Sequence, residues 1–127
     1  MMNKNYDILE IYNNYTDLQQ EKLIELKQLI MNVANNLEDI TIQESLKWKQ
    51  LTFSSENGTP IRIDRFSDSQ IGVFVHCQTT LVEEWREIFG DSLEFSKNRA
   101  ILLSVNNALP IEELTLCIQM ALTYHKK

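Results

Sequence analysis

Between Ile71 and Val105 the chain reads IGVFVHCQTTLVEEWREIFGDSLEFSKNRAILLSV: an apolar run, an amphipathic stretch, then a second apolar run. Ile71 to Val75 is uniformly apolar and predicts a central strand. Leu81, Val82, Trp85, Ile88 and Phe89 recur at helical spacing and predict an inward face. That helix should open at Thr80, with Glu83 completing a capping box, and end at Gly90. Arg99 to Val105 then returns as a strand.

Earlier, Ile8, Ile11, Tyr12 and Tyr15 recur at helical spacing, so residues 1–15 read as a short helical arm. Thr16 and Gln19 form a capping box that starts a longer helix. Its stripe is Leu23, Leu26, Ile30, Val33, Ala34 and Leu37, and its end falls near Asn35 and Asn36. Ile42 to Trp48 reads as a short helical segment, followed by strands at Leu51 to Ser54 and Pro60 to Phe66. Asn57-Gly58 between them is a hairpin signal, because both residues take positive φ at little cost. Within the second strand Ile61 and Ile63 alternate with Arg62 and Asp64, which predicts one buried and one wetter face. Pro110 precedes a last helix with Ile111, Leu114, Ile118, Ala121 and Leu122 on its apolar side. Glu112 and Glu113 in its first turn, with Lys126 and Lys127 at its end, suit the helix dipole.

This order has too few strand–helix–strand crossovers for a doubly wound parallel sheet. The expected fold class is α+β: a two-layer sandwich, mainly an antiparallel sheet, with helices packed on one face. No repeat or linker divides it, so residues 1–127 read as one domain.

Charge narrows the partners. Lys and Arg number 12 against 18 Asp and Glu, a net charge of −6, without the clustered basic stripe that phosphate backbones require. Nucleic acid and anionic membrane surfaces are therefore not expected as partners. The apolar runs fall short of the roughly 18 residues of a membrane span, and no secretory signal stands at the start, so a cytoplasmic location is expected. Cys77 and Cys117 lie far apart without a CxxC, which in a reducing compartment predicts two buried thiols.

Candidate chemistry is sparse. No GxGxxG, GxxxxGK or Gly-flanked serine elbow is present, and His76 and Cys77 should alternate to opposite sides of a regular strand. No catalytic residue is assigned, and the chain is not expected to be an enzyme. An acid/base enzyme stays a third class, since such sites need no local motif. Arg62, Asp64, His76 and Arg99, with Trp48 and Gln78 at the rim, could line one polar patch for a small anionic ligand or a partner carboxylate. The structural alternative is an ion pair from Arg62 or Arg99 to Asp64. Glu83, Glu87 and Asp91 at fourfold spacing, with Glu84 beside them, form an acidic ridge open to weak Fe(II) binding or simple solvation of the helix. Its Fe(II) reading requires that affinity vanish when these carboxylates are neutralised.

The segments ESLKWKQLTF, NGTPIRID, VHCQTTLVEEWREIFG, NRAI and CIQMALTYH resemble the YdhG-like domain family of unknown function, across nearly the whole chain. That resemblance implies a compact α+β fold with an antiparallel sheet backed by helices. It also implies a frataxin-like role proposed for some relatives, carrying intracellular iron to heme or iron–sulfur assembly. Trp48, Arg62, Asp64, His76, Cys77, Gln78, Thr79 and Arg99 occupy the motif positions. Where relatives often carry Gly and Pro after the tryptophan, this chain has Lys49, Gln50 and Leu51. The expected function is thus a small YdhG-like binding domain, handling iron or holding a small ligand or protein on its open sheet face. A monomer or weak homodimer is expected.

Overall fold

The computed structural model describes residues 6–125. Thr16 caps the first long element as the sequence requires: its hydroxyl accepts from Gln19 N at 3.1 Å while the Gln19 side chain accepts from Thr16 N at 3.0 Å. Helix α2, Asp17–Asn35, follows, preceded by the short α1, Ile8–Ile11. The strands are β1 Gln43–Lys47, β2 Gln50–Ser54, β3 Ile61–Ser67, β4 Gln70–Phe74, β5 Glu94–Ser96 and β6 Ala100–Ser104. Helix α3, Leu81–Phe89, runs into a 3-10 turn at Gly90–Ser92, and α4, Ile111–Leu122, closes the order. All neighbouring strands are antiparallel, in one six-stranded sheet ordered β1-β2-β3-β4-β6-β5.

Register sorts the side chains. Leu51, Ile63, Val73 and Ile101 lie in one cross-strand row, with Phe53 and Ile61 on one side of it and Ile71 and Leu103 on the other. These buried residues meet Leu23, Leu26 and Ile30 of α2, Trp85 of α3, and Leu114 and Ile118 of α4 in one core. The helices occupy that side, and the opposite face of the sheet carries none of them. The fold is therefore the expected α+β arrangement, an open antiparallel sheet backed by helices. No helix among the described residues is long and apolar enough to cross a membrane.

Several local expectations are corrected. Residues 43–47 form a strand, not a helix, because they pair along their whole length with β2 through a two-residue turn at Trp48 and Lys49. Those two residues take φ of 55° and 64°, the left-handed pair that a type I′ hairpin turn needs. Asn57-Gly58 is no such turn: neither residue has positive φ, and the connection spans residues 55–60. Gly58 serves close approach instead, since a Cβ there would lie 2.6 Å from the Leu122 carbonyl oxygen. The same loop donates from Thr59 N to Ala121 O at 2.9 Å and receives His125 N at Asn57 O at 2.8 Å, tying β2–β3 to the end of α4.

Thr80 begins α3 without a side-chain cap; its hydroxyl donates to Glu84 Oε2 at 2.7 Å, and the expected box with Glu83 does not form. Gly90 does end the helix at positive φ. The segment before β6 folds back as β5, an element the pattern did not mark. Cys117 is buried as expected but Cys77 is exposed, and both are free thiols. Lys126 and Lys127, with residues 1–5 of the arm, lie outside the described residues.

Candidate functional site

Alternation along the strands builds the helix-free face of the sheet. One row runs Ser45, Thr52, Arg62, Phe74, Ala100, Ser96; the next runs Asp64, Gly72, Leu102, Glu94 across β3, β4, β6 and β5, with the Lys47–Gln50 pair of β1 and β2 lying past the last β2–β3 pair, Leu51–Ile63. Thr52 and Ala100 are small and fully buried at the base of the first row. Between them stands Arg62, half-buried, and its guanidinium has no hydrogen bond, ion pair or ring contact among the described residues. Beside it, the Phe74 ring folds over Gly72: a Cβ at Gly72 would lie 2.7 Å from Phe74 Cζ. The missing side chain at Gly72 is what lets an aromatic ring lie against the sheet, as in aromatic covering of strand glycines.

Asp64 is engaged elsewhere. The Tyr15 hydroxyl donates to Asp64 Oδ1, Gln50 Nε2 donates to Oδ2 at 2.8 Å, and Arg65 N donates to Oδ1 at 2.7 Å. Neither Arg62 nor Arg99 pairs with it, which removes the expected structural ion pair. Tyr15 stacks on Tyr12 with ring centroids 4.9 Å apart and carries the Arg65 guanidinium 4.3 Å from its own centroid. Burial, then the bond to Asp64, raises the Tyr15 phenol from 10.0 to about 12. Tyr12 is more deeply placed: its hydroxyl donates to Ile63 O and accepts from Leu51 N at 2.9 Å, standing between β2 and β3. Burial is the main reason its phenol is held well above the ordinary range.

The remaining expected site residues do not converge on Arg62. Trp48 stands at the β1–β2 turn, 89% exposed, beyond the Asp64 end of the strands. His76, Gln78 and Arg99 are exposed beyond the Phe74 and Ala100 end. The Arg62 row lies between them, so Trp48 and the His76–Arg99 group fall off opposite ends of the strands. His76 Nδ1 accepts from Gln78 N at 3.1 Å and its carbonyl accepts from Thr79 Oγ1 at 2.8 Å, so the pair closes a turn rather than facing the sheet. The expected six-residue patch thus separates into Arg62, an Asp64–tyrosine cluster and two exposed ends. Thr52, Phe74 and Gly72 were missed; strict alternation through Arg62 was the one signal pointing to them.

On α3 and the turn after it, Glu83, Glu84, Glu87 and Asp91 are all exposed. Among the described residues no three His, Cys, Asp or Glu side chains gather into a metal-holding group. These donors do not fit a built iron site. On the helical side, a cleft of about 670 Å³ is lined by Tyr6, Ile8, Ile24, Lys27, Gln28 and Met31. Its lysine is occupied by Glu44 at 3.0 Å and by the Tyr6 carbonyl.

No family model matches the chain, and no curated protein does. Among solved structures, a protein from the DUF1801 family, YdhG of Bacillus subtilis, is similar with a TM-score of 0.64 at 16% identity, covering 88% of each chain. At that identity the likeness establishes the fold: this chain has a YdhG-like fold, as the sequence resemblance implied.

Proposed function

We propose that the protein is a binding domain, not an enzyme, that holds an anionic partner on the open face of its sheet at Arg62. The observation carrying this reading is a half-buried arginine whose guanidinium has no ion pair or hydrogen bond among the described residues. Partly desolvating a charge is unfavourable unless hydrogen bonds or an opposite charge compensate it. A ligand carboxylate or phosphate would supply both, through the planar fork that arginine offers.

Iron handling, the role implied by the family resemblance, finds less support. Its donors would be the exposed carboxylates Glu83, Glu84, Glu87 and Asp91, which are not gathered, and Glu84 is already bonded to Thr80. The direct test of the anion reading is the Arg62 Nε–H resonance during titration with acetate or inorganic phosphate at constant ionic strength. A saturable shift of Arg62, with Arg65 and Arg99 unmoved, is the expected result. Three arginines responding alike would reveal only general counter-ion association and end the reading.

A further inference from the structure

The surroundings of Arg62 discriminate between anions. Phosphate sites commonly collect several donors, typically helix N-terminal N–H groups together with more than one cation. Here the helices lie on the far side of the sheet, and the backbone N–H groups around Arg62 belong to the strand ladders. What remains is a single fork of two parallel N–H donors and one positive charge, matched in geometry and charge to one carboxylate. Beside Arg62 in its row, the Phe74 ring packs its end against Gly72, and Leu102 flanks the glycine in the next row. A cation beside an apolar shelf suits a molecule with a charged end and a flat apolar body.

A protein partner would need roughly 800 Å² on each side and buried apolar anchors. Much of the open face offers small polar groups instead: Ser45, Ser54, Ser96 and Ser104. Resting on the anion-holding reading above, we propose that this face takes a small monocarboxylic acid with a flat apolar body. The carboxylate sits on Arg62 and the body lies against Phe74. An open shelf gives weak affinity; a ligand the size of benzoate should bind at about millimolar concentration.

The test is amide NMR titration of the full chain with benzoate, acetate and inorganic phosphate at one pH and ionic strength. Benzoate should saturate shifts at Thr52, Arg62, Phe74 and Ala100 with affinity about tenfold or more above acetate, and phosphate should bind no more tightly than acetate. Phe74→Leu, which keeps apolar bulk over Gly72 but loses the ring, should lower benzoate toward acetate. Arg62→Gln should abolish both, and Arg62→Lys should weaken benzoate by losing the fork while keeping the charge. Equal affinity for benzoate and acetate, or tightest binding of phosphate, overturns the ligand class and leaves the anion-holding reading standing. No shift at these four amides with any probe, or shifts that survive Arg62→Gln, overturns both.

Discussion

Tyr12 shows how much one side chain can do that its position in a pattern does not reveal. As an apolar helical position it was legible, and it is indeed 2% exposed. Its hydroxyl, however, bridges Leu51 N and Ile63 O across two strands far along the chain, which helical periodicity cannot encode. Tyr12→Phe leaves both backbone groups without that partner and should destabilise the protein by about 1–3 kcal/mol in urea unfolding. The titrations of Tyr15 and Cys117 have a definite sign. Burial raises Cys117 from 9.0 to about 12, with Glu113 adding to the effect, and raises Tyr15 from 10.0 to about 12. The unfolded chain therefore loses these protons first as pH rises. Their stabilising contribution is complete below about pH 9 and is lost between pH 9 and 12. Unfolding midpoints measured across that window should fall with pH, and Cys117→Ala should flatten the onset of the fall.

Elements were legible where local chemistry and tertiary structure agreed. The Thr16–Gln19 box, the stripe of α2 and the Gly90 stop are each set by neighbours within one or two turns, so sequence spacing contains them. The hairpins were misplaced for the opposite reason. Asn57-Gly58 carries favoured turn chemistry, yet the glycine is used for the approach of the end of α4, Ala121 and Leu122, more than sixty residues later. The real two-residue turn falls on Trp48-Lys49, where bulky L-residues adopt left-handed backbone without the usual Asn-Gly signal. Such conformations cost roughly 1 kcal/mol or more per residue relative to the favoured choice. Replacing the pair by Asn-Gly should raise stability by about 1–2 kcal/mol in urea unfolding with β1 retained. A loss of stability would mean that Trp48 or Lys49 supports the hairpin through contacts that its 89% exposure does not suggest. β5 was unread because Glu94–Ser96 is too short for alternation to register.

For the molecule as a whole, the alternation of Ile61 and Ile63 with Arg62 and Asp64 foretold a sheet with one covered and one open face. It did not reveal that Asp64 turns to Tyr15 and Gln50 and leaves Arg62 alone, because that choice depends on how the α1–α2 connection meets β3. Nor could it separate Trp48 from His76 and Arg99, which strand direction sends to opposite ends of the sheet. What is left at the centre is a cation without a hydrogen-bond or ion-pair partner among the described residues, and its freedom from a structural role is the claim most open to measurement. Urea unfolding of Arg62→Met decides it, since methionine keeps much of the apolar stem while removing the charge. An unchanged or higher stability, within about 1 kcal/mol of the parent, is expected for a group kept for recognition. A loss of more than about 2 kcal/mol would show that Arg62 holds the sheet together and would contradict its role as a binding group.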